Sequence, residues 1–437
     1  MKAIAPQLEP IVSPTGVCDW ENIDAIRQKR ILQALAPETI PNCIVYPKTQ
    51  AELAEVIACA HHNKWRVLPC GSGSKLSWGG LAAGIQVVVS TEHLNQVIQH
   101  AVGDLTVTVE AGTKFAALQD PLAASRQFLA LDPSAPAAAT MGGIVATADT
   151  GSLRQRYGGV RDQLLGITFV RADGQIAKAG GRVVKNVAGY DLMKLFTGSI
   201  GTLGIITQVT FRVYPLPEAS GTVVLTGEAN AIALASKTLR SSALTPTAAD
   251  LLSTRLVASL GIGQGLGFIT RFQSMAESVK EQSTRVLEVG QELGLQGVLY
   301  SASDETDLWE KLRRMGTSST EPVITCKIGV LPTSAVATLT QLDSVASQQG
   351  MGLIHNGSGL GLLRLETCAG MLETVLKLRS FCQSQGGFLS VLEAPVTFKQ
   401  QLDVWGYAGN GQDLMRLIKQ QFDPENILSP NRFVAGI

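Results

Sequence analysis

The sequence lacks any surplus of charge. Lys plus Arg and Asp plus Glu number 36 each in 437 residues, and charged residues are only 16% of the chain. No basic stripe is available to neutralise phosphates along a nucleic acid or an anionic membrane. Clustered cysteine is also missing. Cys18, Cys43, Cys59, Cys70, Cys326, Cys368 and Cys382 form no CxxC pair, which excludes the ligand spacing of a zinc module or of a cysteine-held iron–sulfur centre. An odd number of scattered thiols suits a reducing cytoplasm. There is no run of about 18 apolar residues, and MKAIAPQLEP has no signal-like apolar core. The chain is therefore expected to be cytoplasmic, peripheral to a membrane at most through partners. Histidine is scarce too, with five in all.

What the chain has is apolar residues, 45%, and 44 glycines. Its length allows two or three domains, each with its own core. After helical character around Asp19–Leu35, broken at Pro37 and Pro41, strand and helix alternate. Thr49 and Glu52 have capping-box spacing ahead of the stripe Leu53, Val56, Ile57, Ala60. Strands are expected at Arg66–Pro69, Gln86–Ser90, Leu105–Glu110, Ile167–Ala172 and Ile205–Val213, with a hairpin turn at Asp173-Gly174. Pro215 and Pro217 mark a boundary. Beyond it, strands at Gly221–Gly227, Gly267–Gln273, Pro322–Leu331 and a hairpin over Leu353–Thr367 alternate with helices Asn230–Ser242 and Met275–Leu293. A further helix is expected behind Pro332, capped by Thr333 or Ser334. This pattern predicts an antiparallel sheet with helices on one face, an α+β domain. The expected division is 1–40 as an N-terminal extension, 41–217, 218–400, and 401–437 returning to the domain 41–217.

Three glycine-rich segments stand at strand ends. In Pro69-Cys70-Gly71-Ser72-Gly73-Ser74-Lys75 the small residues let backbone N–H groups approach a pyrophosphate, with the Ser72 and Ser74 hydroxyls as extra donors. A ligand-free turn reads equally well from this loop alone, and it is neither a Walker loop nor a Rossmann fingerprint. The second segment runs from Asp132-Pro133 through Thr140-Met141-Gly142-Gly143-Ile144-Val145-Ala146-Thr147 to Tyr157–Asp162. Its side chains are too small to fill a core, so a flat ring system such as a flavin, or tight backbone packing between sheets, must fill the space. The third joins Gly180–Asp191 to Gly198–Thr207. Lys185 and Asn186 there can meet polar edges of a bound group; a solvated lysine and a helix-capping Asp191 are the plain alternatives.

In order and spacing, Pro69–Lys75, Thr140–Thr147, Tyr157–Asp162 and Lys185–Thr207 resemble the FAD-binding fold shared by p-cresol methylhydroxylase and vanillyl-alcohol oxidase. The tail Phe422–Phe433 resembles that family's tail, with Asn431 where glycine is common. Within the family the chain is most similar to glycolate oxidase FAD-binding subunits, the accessory flavin subunit above all, through Lys185-Asn186-Val187-Ala188-Gly189-Tyr190-Asp191. The resemblance implies an α+β protein: a two-subdomain FAD-binding fold of the p-cresol methylhydroxylase type with a second, antiparallel-sheet α+β domain. It implies that Gly71, Ser72, Gly73 and Ser74 hold the FAD pyrophosphate. Pro133, Thr140, Gly142, Gly143, Ala146 and Thr147 would lie along the flavin and ribityl chain, and Gly201 and Ile206 by the adenine-side phosphates and ring. Covalently flavinylated relatives carry a histidine in the first loop where this chain has Ser74, so FAD is expected to be non-covalent.

Oxidation of a 2-hydroxy acid needs a cation for the carboxylate and a base for the hydroxyl proton. His61, His62, His93 and His100 fall in the FAD half, on or beside a helix, and read as surface residues. His355 remains as the catalytic candidate, with Lys327, in an otherwise apolar strand, as the cation; Arg313 and Arg364 are weaker choices. Glu366 and Glu393 read equally as structural carboxylates. One histidine makes no metal site, and none is expected. The flavin site thus reads as intact and the substrate site as eroded. That pattern implies an accessory flavin subunit beside a histidine-complete flavin subunit and an iron–sulfur subunit. A self-sufficient D-2-hydroxy-acid dehydrogenase and a flavin-free assembly subunit are the alternatives.

Overall fold

The computed structural model describes residues 4–182, 189–316, 322–346 and 349–437. Lys185 and Asn186, with Val187 and Ala188 beside them, lie outside the described residues. The chain forms two units. One comprises Met1–Asp149, Gly159–Pro215 and Lys399–Ile437, the other Thr150–Gly158 and Leu216–Phe398. The first forty residues, expected as an N-terminal extension, group with the first unit, where Val17–Asp19 adds a strand to its sheet. Thr150–Gly158, expected among the first unit's residues, clusters with the second.

The first unit holds two sheets. In the four-stranded one, Val17–Asp19 pairs antiparallel with Cys43–Val45, and Cys43–Val45, Val87–Ser90 and Val67–Cys70 run parallel. These parallel strands are buried on both faces, as continuous apolar runs require. Cys43, Val45, Val67, Val87 and Val89 pack under the helices Ala5–Val12 and Gln50–Asn63. Ile44, Leu68 and Val88 face Ile31, Leu35 and Leu76. Thr49 caps Gln50–Asn63, its Oγ1 accepting from Glu52 N at 3.1 Å, while Glu52 reaches back to Lys48 N at 2.7 Å. The five-stranded antiparallel sheet runs in the order Val97–Ala101, Thr106–Glu110, Ile205–Arg212, Leu164–Val170, Ile176–Gly180. Its core includes Phe169, Phe196 and Phe211, each at most 1% exposed. The tail returns to this unit, with Leu428 bridging in parallel to Val67.

The second unit is one eight-stranded antiparallel sheet, in the order Gln296–Tyr300, Ala219–Gly227, Leu266–Ser274, Ala248–Leu252, Gly350–His355, Leu360–Glu366, Val323–Gly329, Phe388–Glu393. Helices cover both faces, not one. Ala276–Glu292 lies on the side of Gly221 and Leu225, and Ala335–Val345 packs against Gly350 and Gly352. Thr254–Leu260 and Ala302–Arg313 cover Val224, Leu252, Ile269 and Leu353 from the opposite side. The apolar stripes of these two helices, Leu256, Val257 and Leu308, Leu312, need the same burial as those of the larger helices. Ser334, expected as a cap, instead donates its hydroxyl to Gln385 at 3.0 Å.

Candidate functional site: a glycine-walled cleft and a buried His–Asp pair

In the first unit, strand Val67–Cys70 ends in the loop from Gly71. A Cβ at Gly71 would collide with the Thr140 side chain, so only glycine lets this loop lie against the start of helix Met141–Thr147. Thr140 begins that helix, its Oγ1 accepting from Gly143 N at 3.3 Å, and Thr147 Oγ1 donates to Gly143 O at 2.7 Å. From the third segment, Gly201 turns with φ +73°, and a Cβ there would stand 2.8 Å from Pro69 Cγ. The three segments close around one cleft. Of the expected cofactor residues, Gly71, Ser72, Gly73 and Ser74 line it on one side. Thr140, Gly142, Gly143, Ala146 and Thr147 line it from the helix, and Gly201 and Ile206 from the last segment. Pro133 does not line it; its neighbour Ser134 is buried against Asp149. The Ser72 hydroxyl donates to the Ala138 carbonyl, so that group is engaged within the protein.

Among the cleft residues that the sequence did not single out are two cations. Arg432, 3% exposed, donates to the carbonyls of Ala34 at 3.3 Å and Gly80 at 3.0 Å, and its Nε has no partner among the described residues. Burial pulls its pKa down to about 10, which leaves it charged at neutral pH. Lys75, 8% exposed, holds its Nζ 2.8 Å from Asp149 Oδ2, with no aligned hydrogen bond among the described residues. Lys75 directly follows Ser74 in the first glycine loop and Arg432 lies in the tail Phe422–Phe433; a cation beside a phosphate-approaching turn is the signal the sequence carries. Buried cations with unused N–H groups, close backbone, and the apolar walls Leu76, Ile200 and Ile205 fit a ligand that is anionic in one part and flat in another. FAD is such a ligand. Cys70 is also on the cleft; burial, with Glu92 adding to it, pushes its pKa to about 12, which disfavours the thiolate.

In the second unit His355 ends its strand at 6% exposure, with Nδ1 2.6 Å from Oδ1 of Asp250, which is 0% exposed. Asp250 is the partner the sequence did not reveal. It lies 105 residues away and is brought opposite His355 only by strand register. Lys327 shares the face of His355, since it is opposite Leu362 and Leu362 is opposite Leu353. It lies two strands and two residues off, about 12 Å between Cα atoms from ordinary strand spacing. The expected catalytic pair is therefore not a compact one. Arg364 donates to the carbonyl of Arg314 at 2.9 Å, and Glu366 binds Arg255 at 2.6 Å. Arg313 is at the end of helix Ala302–Arg313. Among the described residues no three His, Cys, Asp or Glu side chains group as a metal site. Of the other histidines, His61 and His62 are on a helix, but His93 stacks 5.4 Å from Tyr46 and His100 lies on a strand, 2.8 Å from Gln127 Oε1.

Fold and cleft together define a flavoprotein with the p-cresol methylhydroxylase fold. Residues 41–180 match the family model described as "FAD binding domain". The chain superposes on p-cresol methylhydroxylase with substrate bound at a TM-score of 0.79, covering 98% of this chain and 95% of that one at 14% identity. Among curated proteins it is 25% identical over 433 residues to glycolate oxidase subunit GlcD of Bacillus subtilis, covering 91% of this chain and 90% of that protein. It is 26% identical over 440 residues to D-lactate dehydrogenase of Archaeoglobus fulgidus, covering 95% and 96%. No helix among the described residues is long and apolar enough to cross a membrane.

Proposed function

We propose that the chain is an FAD-dependent oxidoreductase acting on CH–OH groups, the FAD-binding accessory subunit of a glycolate oxidase or dehydrogenase complex. Its reaction is oxidation of glycolate or a related 2-hydroxy acid to the 2-oxo acid. The observation that carries this reading is the single cleft lined by Gly71–Ser74, Thr140–Thr147 and Gly201–Ile206, in a chain similar along its length to a glycolate oxidase subunit. FAD, held non-covalently, supplies a two-electron acceptor when bound. Gly71, Gly73 and Gly201 keep the backbone close to it; Ile206 and Ala146 exclude water; Arg432 offers a charged donor to an anionic part. The partners are a second flavin subunit with the full histidine set and an iron–sulfur subunit, consistent with a chain that has no clustered cysteine.

The Asp250–His355 pair favours a second reading, a self-sufficient D-2-hydroxy-acid dehydrogenase. Asp250 holds Nδ1 and so leaves Nε2 to serve as a base. The visible spectrum of the purified chain, before and after anaerobic glycolate and D-lactate, decides between them. A flavin band that persists supports the accessory subunit; one that bleaches shows turnover by the chain alone. A purified, refolded chain that takes up no FAD overturns both.

A further inference from the structure

A buried ammonium is costly to desolvate and is retained only where something draws on its charge. Lys75 has one carboxylate for company. Its side chain is 6% exposed, Nζ lies 2.8 Å from Asp149 Oδ2, and the Trp78 ring centre is 5.7 Å away. That carboxylate oxygen is already shared: Ser134 donates to it through both N and Oγ at 3.0 Å. An ammonium has three N–H groups, and no hydrogen bond to Nζ is aligned among the described residues. Lys75 also lines the cleft. So Asp149, itself held by Ser134, fixes the charge in place while occupying at most one of its three donors.

The direction of the side chain says which part of the ligand it meets. The Cα of Lys75 directly follows Ser74, at the end of the loop assigned to the pyrophosphate. The ammonium is instead at Asp149, two residues beyond Thr147, and Asp149 is bonded by Ser134, which follows Pro133. Thr147 is a residue assigned to the flavin side. Resting on the reading that the cleft binds FAD, we propose that Lys75 faces the flavin ring. There it stabilises the negative charge the ring gains on reduction, with Asp149 as its positioning residue. A fixed cation beside a ring that becomes anionic raises the affinity for the reduced form over the oxidised form, and hence the reduction potential.

The test uses the full chain loaded with FAD, and reads potential and sulfite affinity rather than turnover. Sulfite adds its lone pair to the flavin N5 and leaves a negative charge on the ring, so its binding reports the same stabilisation. Lys75→Met is expected to weaken sulfite binding at least tenfold. It should lower the two-electron potential by the equivalent of a further tenfold, about 30 mV. Because Lys75→Met strands the Asp149 carboxylate, the double variant Lys75→Met with Asp149→Asn is measured beside it, and carries the test alone if the single variant does not fold. Loss of potential and sulfite affinity that persists in the double variant supports the assignment. Wild-type values in both variants overturn it, and so does a single-variant loss fully restored in the double, since the stranded carboxylate then caused it. A wild-type chain that binds no FAD overturns the underlying reading instead.

Discussion

Lys419 and Asp423, one helical turn apart, form a buried ion pair that fastens the tail to the cleft loop. Lys419 Nζ donates to Asp423 Oδ2 at 2.5 Å and to the carbonyls of Thr202 and Leu428 at 2.9 Å each. Asp423 in turn accepts from Ile427 N at 3.0 Å and Leu428 N at 2.8 Å. The lysine's side chain is 8% exposed and the aspartate's 0%. Desolvation lowers the Lys419 pKa against the opposing pull of Asp423. Lys419→Met removes the charge and leaves Asp423 buried without a counter-ion. It is expected to cost about 3–5 kcal/mol of stability, read by denaturant unfolding, and to loosen FAD because Thr202 follows Gly201. Lys419→Met combined with Asp423→Asn should recover most of that loss.

Glycine in the cleft wall is the next point of attack. Gly201→Ala forces a side chain into φ +73° against Pro69, a cost of roughly 1–2 kcal/mol from the left-handed conformation alone. The expected result is FAD affinity lowered about tenfold, since each 1.4 kcal/mol is tenfold in binding. Gly73→Trp should abolish FAD uptake while the second unit stays folded. Fluorescence titration of the apo chain with FAD, beside limited proteolysis, reads both, and retained flavin would count against the pyrophosphate-loop assignment.

His355→Ala should destabilise the second unit by about 3–5 kcal/mol, because Asp250 is fully buried and its Oδ2 already has no hydrogen bond among the described residues. Asp250→Asn keeps the shape and a hydrogen bond to the ring, so its cost should be smaller, about 1–3 kcal/mol. Thermal unfolding of the two variants checks the order. If the chain alone bleaches with glycolate or D-lactate, Asp250→Asn should also shift the pH dependence of bleaching. An unaltered profile would assign the pair a structural role only.

The buried thiols predict alkaline weakening. Burial raises the pKa of Cys43, Cys70 and Cys326 to about 12 and that of Cys382 to about 11, against 9.0 unperturbed. Above pH 9 the unfolded chain releases these protons and the folded chain keeps them. Stability is therefore full below that pH and falls as pH rises, by up to about 1.4 kcal/mol per unit per thiol. Urea unfolding at pH 8, 9 and 10 should show the decline, and Cys326→Ala should flatten it. Under native conditions a thiol reagent should modify the exposed Cys368 and spare Cys43, Cys326 and Cys382 until the chain unfolds.

How much of this was legible in the sequence follows from the range of each signal. Gly71–Ser74 and Gly142-Gly143 showed themselves locally, because a backbone that must come close to something tolerates no side chain. Strands with strong apolar runs, such as Val87–Ser90, were placed within a residue. The edge strands Val97–Ala101 and Gln296–Tyr300 went unread, because their residues are largely exposed and carry no clean alternation. Asp250 with His355, and Lys75 with Asp149, are meetings of distant residues produced by register and by chain return, which no local pattern encodes. Pro133 was assigned to the ring through the resemblance, whereas the structure puts its neighbour Ser134 to use beneath Lys75.

The tail that supplies Arg432 has a consequence for biosynthesis. Arg432 and the Val67–Leu428 bridge come from the last dozen or so residues of the chain, while the loop they meet was made some 360 residues earlier. At a translation rate of about 5–20 residues per second, that loop waits roughly 20–70 seconds for its wall. The cleft gains this wall only once Arg432 has been made, so a ribosome stalled before that segment leaves the loop facing an open side.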